Sequence, residues 1–383
     1  MIRVLHIIVG LNLGGAELML KRLIESSLDN SDFQHSVVSL TDAGEVGEQL
    51  LALGVEVQAL GMRSVLDAPR VLWQLTRRIR KSRADIVQTW MYHANLWGGL
   101  AARIAGNQHV IWGIRTTDVK AGASRTTAVI SWMCAMLSRW IPRAIVCAAE
   151  ASRMTHVAVG YDPTRMVVIP NGFDLQRLMA TADQRIKLRA QCGFAADEVV
   201  IGIVGRFNRA KDHENFVCAA GLLTRQDNRV RFLMVGRDLD AGNTELARWI
   251  TQTGYAERFV LLGERADVPA CLSAMDIFCL SSRTEGFPNG VGEAMAMGLP
   301  CVVTDAGDAA MLVADTGIVV PREAPIALSR GLGGVLAMTP DARQQLGLRA
   351  KARMYSEFSI ERARQRFEDV YSAVLKLSFR TQN

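Results

Sequence analysis

Short apolar runs alternate with longer segments of helical period along the first 172 residues of the chain. The runs are rich in Val and Ile, which is typical of buried strands, and the segments between them carry apolar residues three and four apart, which is typical of helices. Strands are predicted over residues 3–9, 35–40, 86–90, 110–114, 144–148 and 166–169, and helices over 16–27, 69–81 and 94–105. This alternation predicts a parallel sheet with helices on both faces.

A second alternation follows a polar segment, residues 173–193, in which no strand is predicted. Its predicted strands cover residues 199–204, 230–235, 259–262, 276–280, 301–304 and 317–319, and Ser359 caps a last predicted helix. A chain of 383 residues exceeds the usual size of a single core. We therefore expect two Rossmann-like domains with a cleft between them: residues 1–172, a linker over 173–194, a second domain over 195–355 and a C-terminal helix over 356–383.

The composition is that of an ordinary globular protein, with 49% hydrophobic and 21% charged residues. The seven cysteines form no C-x-x-C pair and lie mostly in apolar runs, which favours free thiols in a reducing compartment. No stretch approaches the roughly 18 uninterrupted apolar residues of a membrane-spanning helix. The short apolar N-terminus runs directly into a glycine-rich turn, which favours a first strand over a signal peptide. These features predict a cytoplasmic protein.

The formal charge of +6 is concentrated in the first domain. Residues 1–172 contain 18 Lys and Arg against 13 Asp and Glu, and six of these basic residues lie between Arg70 and Arg83. The predicted helix there is basic and amphipathic, so it suits an anionic membrane surface or an anionic substrate. A solvated helix face beside a sheet is the alternative. The charge is too mild, and lacks the interleaved aromatic residues, to indicate a nucleic-acid partner.

Glu285 and Glu293 bracket a turn rich in glycine and proline, Glu-Gly-Phe-Pro-Asn-Gly-Val-Gly-Glu. A strand is predicted before this turn and a short helix, residues 292–297, after it. The carboxyl end of a strand in an open sheet forms a ligand crevice, and a helix start favours an anionic group such as a phosphate. On one straight helix the two carboxylates would point about 80° apart. We therefore expect them to hold different parts of one ligand and not to form a close acid–base pair.

Two further loops follow the first strand of each predicted domain. Residues 10–17, Gly-Leu-Asn-Leu-Gly-Gly-Ala-Glu, form a glycine-rich turn that suits a phosphate, although tight packing of a helix on a strand requires the same residues. The turn lacks the G-x-G-x-x-G spacing of dinucleotide sites. Arg206 and Lys211 follow the strand over 199–204, where they are expected to neutralise a diphosphate and the charge that grows on it as it leaves. An exposed basic loop is the alternative.

Other patterns favour structural interpretations. Residues 238–240, Asp-Leu-Asp, resemble a D-x-D metal motif but lie in a polar loop without a nearby His or third carboxylate, so we interpret them as part of the loop structure. The six histidines show no metal-ligand spacing, and no G-x-S-x-G sequence supports acyl transfer. An apolar stripe at helical spacing is interpreted as core and not as a membrane contact. It consists of Trp132, Met133, Met136, Leu137 and Trp140.

Taken together, these features resemble the family-4 retaining glycosyltransferases, which have the GT-B fold: α/β, with two Rossmann-like domains whose parallel sheets face each other across a deep cleft. The resemblance covers nearly the whole chain and rests on four motifs in order. They are Gly-Gly-Ala-Glu at 14–17, Ile-Pro-Asn-Gly-Phe-Asp at 169–174, Gly205-Arg206 with Lys211, and the two glutamates at 285 and 293. The resemblance also implies that the C-terminal helix crosses back to the first domain.

The most specific motifs imply roles at the centre of the site. Glu293 would hold the ribose hydroxyls of the nucleotide, and Glu285 would contact the transferred sugar. Arg206 and Lys211 would bind the diphosphate. Further substrate contacts are implied at Gly14 and Gly15 from the first domain, at the backbone of Asn289, Gly290 and Val291, and at Arg265 in the loop that meets the base.

One position departs from the family pattern. Many members have a histidine after the fourth strand of the first domain, whereas residues 112–118, Trp-Gly-Ile-Arg-Thr-Thr-Asp, place Arg115 there. This variant resembles a branch that acts in O-antigen, capsule or exopolysaccharide assembly. Arg115 is therefore a catalytic candidate beside Glu285, Arg206 and Lys211, in contact with donor phosphate or acceptor, and His93 or Asp118 would assist it.

We expect the chain to transfer a hexose or N-acetylhexosamine, with retention, from a UDP-linked nucleotide-sugar to a glycan. The acceptor is expected to be a polyprenyl-diphosphate-linked glycan at the inner face of the bacterial cytoplasmic membrane. No metal or other cofactor is expected, because the two cations and a helix start supply the positive charge. The alternatives are a nucleotide-sugar epimerase of the same fold and a non-catalytic scaffold in polysaccharide assembly. A dehydrogenase is disfavoured by the missing glycine fingerprint.

Overall fold

The computed structural model describes residues 1–29, 32–117 and 125–379. The chain forms two compact units: unit 1 comprises Met1–Gly172 with Ile360–Asn383, and unit 2 comprises Phe173–Ser359. The strands are β1 (Ile2–Ile8), β2 (Phe33–Ser39), β3 (Glu56–Ala59), β4 (Ile86–Trp90), β5 (Val110–Ile114), β6 (Ala144–Cys147), β7 (Met166–Val168), β8 (Val199–Val204), β9 (Val230–Val235), β10 (Phe259–Leu261), β11 (Ile277–Leu280), β12 (Cys301–Thr304) and β13 (Gly317–Val320).

Helices follow most of these strands. They are α1 (Gly15–Glu25), α2 (Gly44–Ala52), α3 (Ala68–Ser82), α4 (Tyr92–Ile104), α5 (Arg125–Leu137), α6 (Glu150–Ala158), α7 (Ala182–Gln191), α8 (His213–Thr224), α9 (Thr244–Thr253), α10 (Val268–Ser273), α11 (Asn289–Ala296), α12 (Ala309–Val313), α13 (Pro325–Leu336), α14 (Pro340–Glu357) and α15 (Ile360–Phe379). No described helix combines the length and the apolar character needed to cross a bilayer.

Each unit contains one parallel sheet. The strand order is β3-β2-β1-β4-β5-β6-β7 in unit 1 and β10-β9-β8-β11-β12-β13 in unit 2. All strand pairs among the described residues run parallel, which confirms the parallel sheets predicted from the βα alternation. In both units the chain adds strands on one side of the first strand and then crosses to its other side. This reversal lies between β1 and β4 in unit 1 and between β8 and β11 in unit 2.

Unit 1 has a hydrophobic core on each face of its sheet. Successive residues of β1 point to opposite faces, so Leu5 and Ile7 join one cluster and Val4 and Ile8 the other. Helices α3, α4 and α5 cover the first cluster. Helix α15 covers the second, where Phe367 packs at a centroid distance of 6.0 Å from Trp90. The C-terminal helix is therefore part of unit 1.

Unit 2 begins with the segment that the sequence suggested to be a linker. Residues 173–193 contain α7, whose first turn is fixed by a capping box between Thr181 and Gln184. Arg185 and Arg189 then donate to the two carboxylate oxygens of Asp276, at 2.7 and 3.1 Å, directly before β11. The segment is thus packed structure within unit 2.

The apolar stripe of α5 corrects one interpretation. Met133 packs against the core of unit 1, as expected. Trp132, Met136 and Trp140, however, are exposed, so their assignment to the core was wrong. The helix carries apolar side chains on two sides, and only one of these sides meets the sheet.

Candidate functional site

The candidate site of unit 2 lies where the strand order reverses, between β8 and β11. The loops that leave the carboxyl ends of these neighbouring strands diverge to opposite sides of the sheet, which opens a ligand crevice in folds of this kind. One loop carries Arg206 and Lys211, and the other carries Glu285. Residues 74 positions apart are thereby brought to one edge of the sheet.

Hydrogen bonds join the two loops directly. The backbone N–H of Arg283 donates to the carbonyl of Ala210 at 2.8 Å, and the Ser281 hydroxyl donates to the carbonyl of Lys211 at 2.8 Å. The side-chain amide of Asn215 donates to the carbonyl of Ser281. The main chain that carries Lys211 is therefore held against the end of β11.

Lys211 and Glu285 form an ion pair. The Nζ atom lies 2.7 Å from Oε1, and the Ser282 hydroxyl donates to the same oxygen at 2.6 Å. The lysine side chain is 25% exposed and the glutamate side chain 10%. A pair so little exposed is screened by salt less than a surface pair.

Helix α11 begins immediately after this pair. Its first residue is Asn289, three positions earlier than the sequence suggested, and Pro288 precedes it. A Cβ atom on Gly292 would lie 2.3 Å from the Phe173 ring, so only glycine allows this close approach. Val291 is buried in the first turn, and Glu293 follows on the same helix with partial exposure. The turn and helix predicted around the two glutamates are confirmed.

The residues after Lys211 are buried and unusual in conformation. Asp212 has a left-handed backbone, with φ of 50°, and forms an ion pair with Arg283 at 3.0 Å. His213 stacks on Phe207 with centroids 5.4 Å apart. Burial, together with the nearby charge of Lys211, lowers the pKa of His213 to about 4. His213 is therefore neutral near pH 7.

Arg206 follows β8 and Arg265 follows β10, with β9 between the two strands, and the contacts of the two arginines differ. Arg206 is exposed, and within the described part of the chain it has no ion-pair partner. Arg265 follows β10 and forms a two-pronged ion pair with Asp267, at 2.8 and 2.7 Å. The loops are linked, because the Gly236 N–H after β9 donates to the Gly263 carbonyl after β10. The backbone beside Arg265 is thereby fixed, while its guanidinium is engaged within its own loop.

The corresponding reversal in unit 1 lies between β1 and β4. Gly14 and Gly15 start α1 after β1, and burial raises the pKa of Glu17 in the first turn of that helix. Met91, directly after β4, has φ of 71°, a conformation that costs energy for a residue with a side chain. The glycine turn predicted from the sequence thus stands at the expected strand end. Its contact with a diphosphate stays a prediction.

Arg115 follows β5 and packs against two aromatic rings that also contact each other. Its guanidinium carbon lies 5.3 Å from the centre of Trp90 and 5.7 Å from that of Phe367. Its Nη1 atom donates to the Ile169 carbonyl at 3.0 Å, whereas its buried Nε and Nη2 atoms have no hydrogen-bond partner among the described residues. Burial lowers the pKa of Arg115 to about 10. The packing favours a structural role for this side chain, and the predicted catalytic role is untested.

His93 and Asp118 are the two residues expected to assist Arg115. His93 is partly buried near the start of α4, and burial lowers its pKa. Asp118 lies outside the described residues.

The D-x-D sequence is built into a loop. Asp240 accepts a hydrogen bond from the backbone N–H of Gly242 at 2.8 Å, and the Asp238 carbonyl accepts one from Asn243. Among the described residues, no group of three or more His, Cys, Asp or Glu side chains is placed to hold a metal ion.

Sequence reasoning missed three residues of the site. Ser282 holds Glu285, Asp212 orients Arg283, and His213 packs beside Lys211. A signal for Ser282 exists in the sequence, because two serines directly after a buried strand place hydroxyls at its carboxyl end. Asp212 and His213 carry no such signal, since their burial depends on how the two loops pack.

Two family models match the chain, and they divide it as the units do. Residues 13–177 match the model described as Glycosyltransferase Family 4. Residues 198–337 match the model described as Glycosyl transferases group 1. The matches include Gly14 and Gly15 of unit 1 and the Lys211–Glu285 site of unit 2.

Two curated relatives extend this similarity across both units. EpsF of Bacillus subtilis (strain 168), named as a glycosyltransferase, is 26% identical over 320 residues, which are 79% of this chain and 79% of EpsF. The UDP-Gal:alpha-D-GlcNAc-diphosphoundecaprenol alpha-1,3-galactosyltransferase of Escherichia coli is 28% identical over 248 residues, which are 63% of each chain.

Solved structures share the fold. The crystal structure of Anabaena Alr3699/HepE in complex with UDP matches with a TM-score of 0.84 at 22% identity, over 97% of this chain and 100% of that one. WaaG, a glycosyltransferase involved in lipopolysaccharide biosynthesis, matches with a TM-score of 0.70 at 14% identity, over 96% and 99%. Together with the two parallel sheets, this likeness confirms the predicted GT-B fold class.

Proposed function

The chain belongs to glycosyltransferase family 4, and from that premise we propose that it transfers a hexose or N-acetylhexosamine from a nucleotide-sugar to a glycan, with retention. The observation that carries the proposal is the Lys211–Glu285 ion pair at the strand reversal of unit 2, beside the start of α11. A cation, a carboxylate and a helix start at one place suit a ligand that joins a diphosphate to a polyol.

The proposed roles follow the chemistry of each group. Lys211 and Arg206 neutralise the diphosphate and the charge that develops on it as it departs. Glu285 accepts hydrogen bonds from hydroxyls of the sugar, and Glu293 from those of the ribose. The backbone at the start of α11, from Asn289 to Val291, contributes dipoles that favour the anionic end of the donor.

The reaction we propose is a front-face displacement. An acceptor hydroxyl oxygen bonds to the anomeric carbon on the side from which the diphosphate leaves, as the bond between that carbon and the diphosphate oxygen breaks. The hydroxyl proton passes to the departing phosphate oxygen, so the products are the glycoside and the nucleoside diphosphate. Because attack and departure share one face, the anomeric configuration is retained. Lys211 stabilises the charge on the leaving oxygen without requiring a metal ion.

Similarity to named proteins supports a more specific donor and acceptor. HepE has been crystallised with UDP and with UDP-glucose, so we propose a UDP-linked donor. The Escherichia coli relative is named for a diphosphoundecaprenol-linked acceptor. On that likeness we propose a polyprenyl-diphosphate-linked glycan as the acceptor, in cell-surface polysaccharide assembly at the inner face of a bacterial cytoplasmic membrane.

A panel of nucleotide-sugars, screened by thermal shift, tests the donor. A ligand that binds only the native state raises the melting temperature, by an amount that grows with its concentration relative to its Kd. We expect a UDP-sugar to give the largest shift. No shift with any nucleotide or nucleotide-sugar would contradict the proposal and favour the scaffold alternative.

NMR of the products tests the reaction. With donor and a lipid-linked acceptor, the expected product has the same anomeric configuration as the donor. Inversion at that carbon would refute the front-face mechanism. Conversion of the donor sugar in the absence of any acceptor would instead identify an epimerase.

A further inference from the structure

Three helices of unit 1 lie side by side on one face of its sheet and present a second surface to the outside. Residues on the inner sides of α3, α4 and α5, such as Val71, Leu96 and Ile130, join one buried cluster. We call the opposite surface the outer helical face. Its exposed apolar residues are Trp73, Ile104, Val129, Trp132, Met136 and Trp140.

Four of these apolar residues form a stripe along α5 and the turn after it. Val129, Trp132, Met136 and Trp140 follow each other at spacings of three and four residues, which places them on one side of the helix. Trp132 is 62% exposed and Trp140 is 71% exposed. A helix that packs on a sheet normally turns polar residues toward water, so a stripe of large apolar side chains there indicates an interaction surface.

The segments that form this face contain charged residues of one sign only. Helices α3 and α4 and residues 125–143 together contain nine Arg and Lys and no Asp or Glu. Two of the nine, Arg70 and Arg78, pair with carboxylates from neighbouring segments. The face as a whole therefore carries an excess of positive charge.

The cations are interleaved with the exposed apolar residues. Arg80 donates to the carbonyl of Ile104 at 2.9 Å, and Arg103 donates to the carbonyl of Trp140 at 2.9 Å. Burial, together with nearby Arg143 and Arg165, lowers the pKa of Arg103. Guanidinium groups thus lie close together near the ends of α4 and α5, beside exposed apolar side chains.

We propose that the outer helical face docks on a lipid bilayer with anionic headgroups, with Trp132 and Trp140 in the interfacial region. Tryptophan favours that region because its ring is amphipathic, and arginine can cover apolar surface while its head contacts lipid phosphate. A second copy of the chain is a poor occupant, because a symmetric contact would bring this positive face against itself. The docking deepens the proposed function, since a lipid-linked acceptor lies in such a bilayer.

Vesicle flotation tests the proposal without any donor, so its outcome is separate from that of the proposed function. The full chain is mixed with phosphatidylcholine vesicles that contain or lack phosphatidylglycerol. We expect binding only with phosphatidylglycerol, weakening as salt rises because screening shortens the reach of the charges. Tryptophan emission should shift to shorter wavelength on binding, as exposed rings leave water.

Two paired variants separate the apolar and the charged contributions. Trp132→Ser with Trp140→Ser should abolish most of the binding and of the emission shift. Arg80→Gln with Arg103→Gln should weaken binding by about fivefold for each arginine and reduce its salt dependence. Met179→Ser with Ile186→Ser is the control, since these apolar side chains of unit 2 are 67% and 65% exposed. It should bind as the unaltered chain does.

Three results would overturn the proposal. The first is equal binding to vesicles with and without phosphatidylglycerol. The second is a loss of binding in the control as large as in the tryptophan pair. The third is absence of binding to vesicles of either composition. If the chain then self-associates in sedimentation and the tryptophan pair abolishes that association, the occupant of the face is a second copy. Thermal melting of each variant checks that these surface changes leave the fold intact.

Discussion

Replacing Lys211 by Met tests the centre of the proposed site. In the structure the lysine ammonium pairs with Glu285 at 2.7 Å. If it binds the donor diphosphate, it must exchange this carboxylate for a phosphate. Methionine keeps much of the apolar stem and removes the charge. Lys211→Met should therefore weaken diphosphate binding and slow the reaction with little change in the shape of the site.

The magnitude follows from the charge and the partial exposure of the lysine. A net hydrogen bond to a charged group contributes about 1.5–3 kcal/mol, which corresponds to about 10- to 150-fold in affinity for UDP. Loss of a donor that stabilises developing charge costs about 3–4 kcal/mol at the transition state, or about 100- to 1,000-fold in kcat. Glu285→Gln should act in the opposite direction on binding, because it removes the carboxylate that competes with the phosphate.

Isothermal titration calorimetry with UDP measures the change in UDP affinity in the Lys211 and Glu285 variants. Relative to the unaltered chain, Lys211→Met should bind UDP at least about tenfold more weakly. Glu285→Gln should bind it equally well or more tightly. Lys187, an exposed lysine of α7 in the same unit, provides the matched control Lys187→Met. UDP affinity within twofold of the unaltered chain for Lys211→Met, with an unchanged melting temperature, would refute the assigned role.

Three further predictions concern packing and protonation. Gly292→Ala places a Cβ 2.3 Å from the ring of Phe173, so urea titration should show a loss of about 1–3 kcal/mol that Phe173→Leu partly restores. Arg115→Met should change the free energy of unfolding by less than about 1.5 kcal/mol, because an apolar side chain replaces a desolvated cation. If this stable variant no longer turned over substrate, the result would support a catalytic role for Arg115. Because the pKa of His213 is lowered to about 4 in the folded state, the unfolded state binds more protons than the folded state between about pH 6.5 and pH 4. The free energy of unfolding should therefore fall by up to about 3 kcal/mol as the pH is lowered across that range. His213→Gln should remove this contribution in urea titrations at pH 7 and pH 5.

The strands of the two sheets could be predicted because their signal is local. A parallel strand buried on both faces is an apolar run, and the bounds predicted for β4, β5, β8, β9 and β12 agree with the structure. Strand β3 was missed, since Glu56–Ala59 lies at the sheet edge and has a mixed, largely exposed sequence. Helix α7 was missed for a related reason: its surface is mostly polar, and only the capping residues Thr181 and Gln184 mark its start.

The direction in which a helix faces could not be predicted from its period. In α5 both Met133 and its neighbour Trp132 belong to apolar stripes, and the sequence does not say which stripe the sheet covers. Packing of α4 against α5 decides it. For the same reason the surface that we propose to contact lipid could not be predicted from the sequence. An apolar stripe that packs in a core and one that faces outward have the same spacing of apolar residues.

The contact between Lys211 and Glu285 arises from strand order, which no local pattern encodes. The sequence motifs predicted that Lys211 contacts the diphosphate and that Glu285 contacts the sugar. In the structure β8 and β11 are adjacent, so the two side chains also contact each other. This pairing holds the ammonium in place before a donor arrives, which lowers the cost of ordering it on binding. If the diphosphate takes the lysine, Glu285 loses its cation at the moment when sugar hydroxyls reach it. Binding of the diphosphate and presentation of Glu285 to the sugar would then be one event. A nucleoside diphosphate without sugar should draw the lysine away from Glu285 and offer that carboxylate no sugar hydroxyls in exchange, so it should bind less tightly than the intact donor.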